Sequence, residues 1–567
     1  MTDASRFVAA RDLLLANPTD YDRVLREFRW PRLERFNWAL DHFDRLADHN
    51  GAPALIFASP AGVTASHSFA ELKERSDQLA NLLRARGAAR GDRLLMMLPN
   101  RTALWETMLA AMKLGIVLIP ATPQLTRADL EDRFGRGRAR HVITDAEGAE
   151  KIGALGADGV RLVVGDSRPG WLDYRELEGA SPILSDPGVT RSSDPLFLYF
   201  TSGTTARPKL VLHTHQSYPV GHLSTLYWLG LRPGDRHLNI SSPGWAKHAY
   251  SSFFPPWTVG AAVVVFDAPR ADPTAVIETI ERADVTTFCG PPTLWRMMIN
   301  EELGGRRIGL REALSAGEPL NPEVIDRIRQ AWGITIREGY GQTETTLLVG
   351  NFPGQPVKPG SMGKPAPGFS VELRPRRDEE AAADRAEGEI AVSLADEPMG
   401  LMEGYLDDPE RMAEARREGF YRTGDVALAD ADGYITYVGR ADDVFKSSGY
   451  RLSPFELESV LIEHPAVAEA AVVESPDPIR LVVPKAFLAL RAGHEPTRDT
   501  ALAVFRFVRE RLPAFQRIRR VEFAALPKTI SGKIRRVELR LREREQVQRG
   551  LREPTCHWVE DFPELKG

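Results

Sequence analysis

The chain contains 567 residues, 43% hydrophobic and 27% charged, and its 73 Lys and Arg against 78 Asp and Glu leave a formal net charge of −5. That length exceeds one ordinary core and that apolar content excludes a disordered chain, so two or more packed domains are expected, with no global attraction to nucleic acid or an anionic membrane surface. Only Cys289 and Cys556 are present, which excludes a disulfide scaffold and a Cys-rich zinc module and points to a reducing, cytoplasmic compartment.

In chain order, Met1 to Ala9 carries both charge signs and leads into no apolar run, so no secretory signal is expected. Ser68 to Arg86 predicts an amphipathic helix, with Phe69, Leu72, Leu79, Leu82 and Leu83 on one face, Ser68 as N-cap and Gly87 just past the end. A strand at Arg93 to Met97, a helix at Ala103 to Leu114 and a strand at Ile116 to Pro120 follow. This rhythm recurs through Ile334 and predicts the α/β class: a large N-terminal domain with doubly covered, mostly parallel sheets. Apolar stretches such as Ala261 to Phe266 are too short for a membrane span and read as buried strands.

Beyond about residue 370, short alternating segments (Ser370 to Leu373, Glu389 to Ser393, Tyr434 to Val438) predict a small β portion, and the charged, Ala-rich Arg376 to Gly388 reads as a surface loop. A small α+β unit closes the chain: helix Ser453 to Glu463, strands Val467 to Glu474 and Lys485 to Leu490, helix Thr500 to Leu512. The boundary is placed at Arg440 to Asp443, giving domains 1–440 and 441–567. Arg506 to Arg552 is rich in Arg, which reads as a solvated helix face with interspersed Glu, a local anion site being the alternative.

The most informative stretch is Tyr199 to Lys209, YFTSGTTARPK. An apolar strand runs into small hydroxyl residues around one glycine, whose backbone N–H groups and hydroxyls can surround a polyphosphate. No GxxxxGK[ST] occurs, so it is not a Walker A loop, and composition alone would favour a Ser/Thr-rich surface turn. The whole string resembles the phosphate-binding signature of AMP-forming acyl-adenylating enzymes. Four further segments agree in order: SAGEPL (Ser315 to Leu320), EGYGQTET (Glu338 to Thr345), YRTGD (Tyr421 to Asp425) and PKTISGK (Pro527 to Lys533). FNWALDHFD (Phe36 to Asp44), SPGWAKHAYSSFFPPW (Ser242 to Trp257), GNFPGQPVKPGSMGKP and SPDPIRLVVPKAF narrow the resemblance to the medium-chain acyl-CoA synthetases, from about residue 30 to 545.

That resemblance implies a large N-terminal domain with a small mobile C-terminal lid, and two reactions. A carboxylate attacks the α-phosphorus of ATP to give acyl-AMP and pyrophosphate; CoA then displaces AMP. It implies a phosphate loop of Thr201, Ser202, Gly203, Thr204, Thr205 and Lys209, and an adenine turn of Gly317, Glu318 and Pro319. Glu338, Gly339, Tyr340, Gly341 and Gln342 would also contact the nucleotide, Tyr340 stacking on adenine. Thr343 and Glu344 would face phosphate and Mg²⁺, with Thr204 as a second metal candidate. Asp425 and Arg440 would hold ribose, where an acceptor-only carboxylate suits two vicinal hydroxyls. Lys533 would be the catalytic cation of the first step, the site needing positive charge more than a general base.

For the second step the resemblance implies Asp442 as hinge, Ser448, Gly449 and Tyr450 at the pantetheine tunnel, and Arg480 on a CoA phosphate. Gln124 and Phe515 to Arg517 fall where relatives touch CoA. Gly449 suits a narrow tunnel because a side chain there would obstruct it. For the acid, Trp245 resembles an aromatic gate, with Arg451, Leu347, Leu348 and His248 nearby candidates. Gly341 stands where acetate-specific relatives carry Trp, which favours medium-chain or aromatic acids.

Two positions depart from the pattern. Ala206 replaces a loop Gly and would cost about 1 kcal/mol if φ > 0 is required there. FQRIR (Phe515 to Arg519) lacks the Tyr-Lys-x-Pro-Arg run. Two alternatives stay open: transfer to a carrier-protein phosphopantetheine, and a non-catalytic nucleotide-binding relative. No GxSxG elbow supports a serine hydrolase, and His213 and His215, an HxH pair without a third ligand, read as structural. A homodimer is left open.

Overall fold

The computed structural model describes residues 1–156, 158–201, 208–268, 272–375, 387–441, 443–447, 450–478, 480–529 and 533–565. Two compact units emerge: Met1–Glu372 with Val392–Arg422 and Ala431–Ile435, and Leu373–Ala391 with Thr423–Asp430 and Thr436–Gly567.

Two large sheets organise the first unit. In the nine-stranded sheet, Pro53–Ser59, Ala262–Phe266, Arg236–Asn239, Thr287–Gly290, Glu312–Ala316 and Ile336–Gly341 are neighbours in that order and run parallel. Antiparallel strands flank them: Gly62–Ser68 at one edge, then Leu347–Gly350 and Lys364–Pro365 at the other. The eight-stranded sheet has the parallel series Leu172–Asp173, Arg161–Val164, His141–Asp145, Arg93–Met97, Val117–Pro120 and Pro195–Thr201, followed by antiparallel Lys209–Thr214 and Gly404–Tyr405.

Sequence pattern explains the coverage. Strands such as Ala262–Phe266 and Arg93–Met97 are nearly continuous apolar runs and are buried along their length, as strands with packing on both faces must be. Phe69–Ala85 is a helix whose Leu72, Leu79, Leu82 and Leu83 are buried, and Ser68 and Glu71 close a reciprocal capping box. Thr102–Leu114 is buried from Ala103 to Leu114, including Lys113, whose ammonium meets Asp77 at 2.7 Å and Asp44 at 2.8 Å. Gly115 ends this helix at φ +68°, a left-handed cap. Pro273–Arg282, Pro292–Met298 and Pro322–Trp332 bury Val276, Ile280, Trp295, Met298, Val324 and Ile328 against Ile56, Leu238, Val264, Phe288 and Ala313 of the larger sheet.

The second unit has its own core. Helices Pro454–Ile462 and Arg498–Arg511 pack Leu457, Leu461, Val504 and Val508 with Val472, Leu488 and Val521 of a four-stranded sheet. That sheet runs Val467–Asp477, Leu481–Leu490, Arg520–Phe523, Cys556–Trp558. Of the expected surface loop, residues 376–386 lie outside the described residues, while Glu387 and Gly388 open the strand Glu387–Ser393.

The Arg-rich tail is also resolved in kind. On the helix Arg536–Gln548, Arg536 pairs with Glu458 and Arg540 with Asp443, both at 2.5 Å, while Arg542 meets Glu522 and Arg544 meets Glu474. Each of these arginines is thus paired with a carboxylate of its own unit.

Candidate active site

In the first unit, the strand Lys209–Thr214 sets one face against the segment 342–345. Period-2 alternation places Lys209, Val211 and His213 on the same side. Lys209 Nζ lies 3.5 Å from Glu344 Oε1 and donates to the Tyr405 hydroxyl at 3.2 Å; that hydroxyl in turn donates to Glu344 Oε1 at 2.9 Å. Glu344 is buried, so its charge has a cation and a hydroxyl donor rather than bulk water as partners. Its backbone carbonyl accepts from Met402 N at 2.8 Å. His213 Nε2 donates to the carbonyl of Thr343 at 2.8 Å, and the ring is fully buried, which pushes its pKa down to about 4 and keeps it neutral. His215 is also buried, its ring nitrogens have no hydrogen-bond partner, and its pKa falls to about 3 for the same reason. No group of three metal-binding side chains exists among the described residues.

The segment itself is a tight turn. Thr345 N donates to Gln342 O at 3.1 Å and Gln342 N to Thr345 Oγ1 at 2.9 Å, while Tyr421 OH donates to Gln342 Oε1 at 3.1 Å. Tyr340 and Thr343 are half-buried and Gly341 is exposed. A Cβ on Gly341 would lie 2.4 Å from the Thr346 carbonyl oxygen. In this backbone, at a register shift between paired strands, any larger residue there would need the Thr346 carbonyl to move.

Glu338 begins the same motif. It is buried; Oε1 accepts from Leu320 N at 2.8 Å while Oε2 has no partner, and desolvation pushes the carboxyl pKa up to about 8. The paired strand brings Ser315 opposite Glu338, and the Ser315 hydroxyl is likewise buried without a partner. Two orphaned polar groups on one sheet face are what a polar ligand atom would satisfy. Gly317 follows at φ +105°, exposed, with Glu318 3.6 Å from Arg296. Trp245 is half-buried at the start of the helix Ala246–Ser252, not a core residue, and Lys247 Nζ donates to Ala316 O at 2.9 Å. His248 is buried, with its pKa lowered to about 4 by desolvation, and Leu347 and Leu348 are buried in their strand. Gln124 is exposed.

In the second unit, Asp425 is buried and its Oδ1 accepts from Arg440 Nη1 and Tyr437 OH, each at 3.4 Å. Gly424 N donates to Glu389 Oε1 at 2.9 Å, fixing the turn ahead of Asp425. Lys533 is exposed, its loop closed by Thr529 N donating to Lys533 O at 2.8 Å and Lys533 N to Thr529 Oγ1 at 3.1 Å. Arg480 is exposed in the hairpin turn after Asp477; Gln516 is buried and donates to Glu456 at 3.0 Å, beside exposed Phe515 and half-buried Arg517. Tyr450 and Arg451 fall in the short strand Tyr450–Leu452. Ser202, Gly203, Thr204, Thr205, Ala206, Asp442, Ser448 and Gly449 lie outside the described residues.

Of the residues that the motifs name, the structure pairs Lys209 with Glu344 and Asp425 with Arg440, and buries Glu338. Motif reading missed Tyr405, which joins Lys209 to Glu344, and the contact of His213 with Thr343. Both depend on contacts between segments far apart in sequence, strand pairing for Tyr405 and a side-chain bond to a turn carbonyl for His213, which local patterns do not reveal.

The AMP-binding enzyme family matches residues 43–406, and its C-terminal domain matches residues 456–533. A 4-hydroxybutyrate–CoA ligase from Metallosphaera sedula is 43% identical over 91% of this chain and 92% of its own length. The mitochondrial acyl-coenzyme A synthetase ACSM3 of Mus musculus is 39% identical over 94% and 96%. Among solved structures, an anthranilate CoA ligase in complex with anthranoyl-AMP superposes with a TM-score of 0.82 at 27% identity, covering 91% of this chain and 99% of that one. The chain belongs to the AMP-binding enzyme family, as an AMP-forming acyl-CoA synthetase.

Proposed function

We propose that the enzyme activates a medium-chain or aromatic carboxylic acid as acyl-AMP, with Mg²⁺, and passes the acyl group to free CoA. The observation that carries the residue assignment is the Lys209–Tyr405–Glu344 cluster, a buried carboxylate fixed beside a cation in the turn that the motif places at the phosphates. Mg²⁺ favours one or two carboxylates with substrate phosphate and water over an all-protein cage, and Glu344 offers such a hard-oxygen donor. Thr343 and Lys209 would contact phosphate, with residues 201–205, and Thr204 would be the second oxygen toward the metal. Glu338, Ser315 and the 317–319 turn would meet adenine, Tyr340 would stack on it, and Asp425 and Arg440 would hold ribose. Lys533 would stabilise charge as carboxylate attacks the α-phosphorus. Asp442 would then act as the hinge that exchanges Lys533 for Gly449, with Ser448, Tyr450 and Arg480 on CoA and Trp245 and Arg451 near the acid.

A polar or aryl acid is the second reading, and the 4-hydroxybutyrate and anthranilate ligases among the similar proteins favour testing it. No helix among the described residues is long and apolar enough to cross a membrane, and action in the cytoplasm is the compartment proposed. A panel of short-, medium- and long-chain acids, hydroxy acids, benzoates and cinnamates, assayed with ATP, Mg²⁺ and CoA, tests the reading. A maximum of kcat/KM at medium-chain or aryl acids supports it; a maximum at acetate or at long-chain acids contradicts the acid assignment. Thioester formed only on a holo-carrier protein contradicts the CoA assignment.

A further inference from the structure

The strand Lys209–Thr214 carries a second polar contact to the Thr343–Glu344 turn, four residues beyond Lys209. His213 Nε2 lies 2.8 Å from the Thr343 carbonyl oxygen, and Nδ1 lies 3.1 Å from Ser217 Oγ. A carbonyl can only accept, so Nε2 bears the proton and Nδ1 takes the Ser217 hydroxyl hydrogen. Ser217 Oγ is itself oriented, because it accepts from Thr214 N at 2.9 Å. The imidazole is buried at 0% exposure against Tyr218, with ring centroids 4.4 Å apart. The ring is thus fixed by packing on its face and by hydrogen bonds at both nitrogens, so it can hold a neighbour in register. What it holds is the peptide linking Thr343 to Glu344. The next carbonyl, that of Glu344, is held by Met402 N.

Resting on the reading of Thr343 and Glu344 as the phosphate and metal residues, we propose that His213 is a positioning residue for adenylation, setting through its Nε2–H bond to the Thr343 carbonyl the angle at which Thr343 and Glu344 meet the nucleotide phosphates. It is neither a metal ligand nor a proton carrier, since its nitrogens are both engaged within the protein. Half-reaction chemistry follows. Adenylation needs the turn aligned with pyrophosphate, whereas thioester formation from acyl-AMP has no pyrophosphate to align, so loss of His213 affects the first far more than the second.

The test uses the full chain and three variants. His213→Phe keeps a ring against Tyr218 and removes the donor; His213→Gln keeps an N–H donor at the corresponding depth; Glu344→Gln tests the reading on which the proposal rests. Loss of one aligned hydrogen bond predicts about a tenfold fall in acid-dependent ATP–pyrophosphate exchange for His213→Phe, with a raised MgATP KM. Its KM for the acid and its rate of thioester formation from supplied acyl-AMP stay within about twofold, and His213→Gln recovers most of the exchange. Exchange at parent level in His213→Phe, with Glu344→Gln inactive, overturns the proposal and leaves the reading standing. An equal fall of both half-reactions in His213→Phe, unrelieved in His213→Gln, shows a purely structural ring and also overturns it. Full exchange in Glu344→Gln overturns the reading, and the proposal with it.

Discussion

Glu344 is fixed by a hydroxyl, a lysine and its own backbone, and the hydroxyl can be removed without changing shape. Tyr405→Phe deletes the donor at 2.9 Å from Glu344 Oε1 and the acceptor of Lys209. One hydrogen bond of about 1 kcal/mol predicts a roughly fivefold rise in MgATP KM in steady-state kinetics, with the KM for the acid unchanged. Glu338 gives a pH-dependent prediction. Its folded pKa, about 8, lies above the usual carboxyl value. Between the two values the unfolded chain has released the proton that the folded chain retains, so stability falls as pH rises through that window. Glu338→Gln, neutral throughout, is therefore stabilising relative to the parent, and the gain in unfolding free energy grows from pH 5 to pH 8. A gain independent of pH would contradict the buried neutral carboxyl.

At the scale of elements, caps and buried charges decide. Ser68→Ala removes the side-chain acceptor of Glu71 N and one half of the capping box. It should cost about 1 kcal/mol in denaturant titration with activity unchanged below the transition. Lys485 is buried between Glu522, at 2.6 Å, and Glu543, on which Arg520 and Ser475 also converge. Lys485→Met leaves two carboxylates without their shared cation, and thermal unfolding should report a loss of about 3–5 kcal/mol. Local pattern made the elements themselves legible: Arg93–Met97 falls on a short apolar run, and the helix after Ser68 where periodicity and capping put it. The strand Leu481–Leu490 starts four residues ahead of the expected Lys485, because its pairing with Val467–Asp477 extends a local apolar run into the turn. The antiparallel partner Gly404–Tyr405 was invisible as a strand, since two residues carry no period. For the same reason nothing in the sequence singled out Tyr405, while Glu344 and Lys209, each inside a dense motif, stood out as candidates.

For the whole molecule, near-neutral charge is reconciled with polyanionic substrates by placement. On the helix Arg536–Gln548 the arginines are matched by carboxylates within the second unit, while Lys533 and Arg480, the residues proposed to meet phosphate, are exposed. The proposed division of labour assigns Lys533 to adenylation and Gly449 to thioester formation. Lys533→Ala should abolish acyl-AMP formation yet largely spare thioester formation from supplied acyl-AMP, and Gly449→Leu should do the reverse.

The most direct measurement follows pyrophosphate exchange into ATP, with each acid of the panel and Mg²⁺ but no CoA, and then adds CoA and quantifies AMP and thioester. Acid-dependent exchange before CoA is present, followed by AMP and acyl-CoA in equal amounts, is the predicted result. Absence of exchange with every acid, or ADP and phosphate as the nucleotide products, would contradict the two-step account.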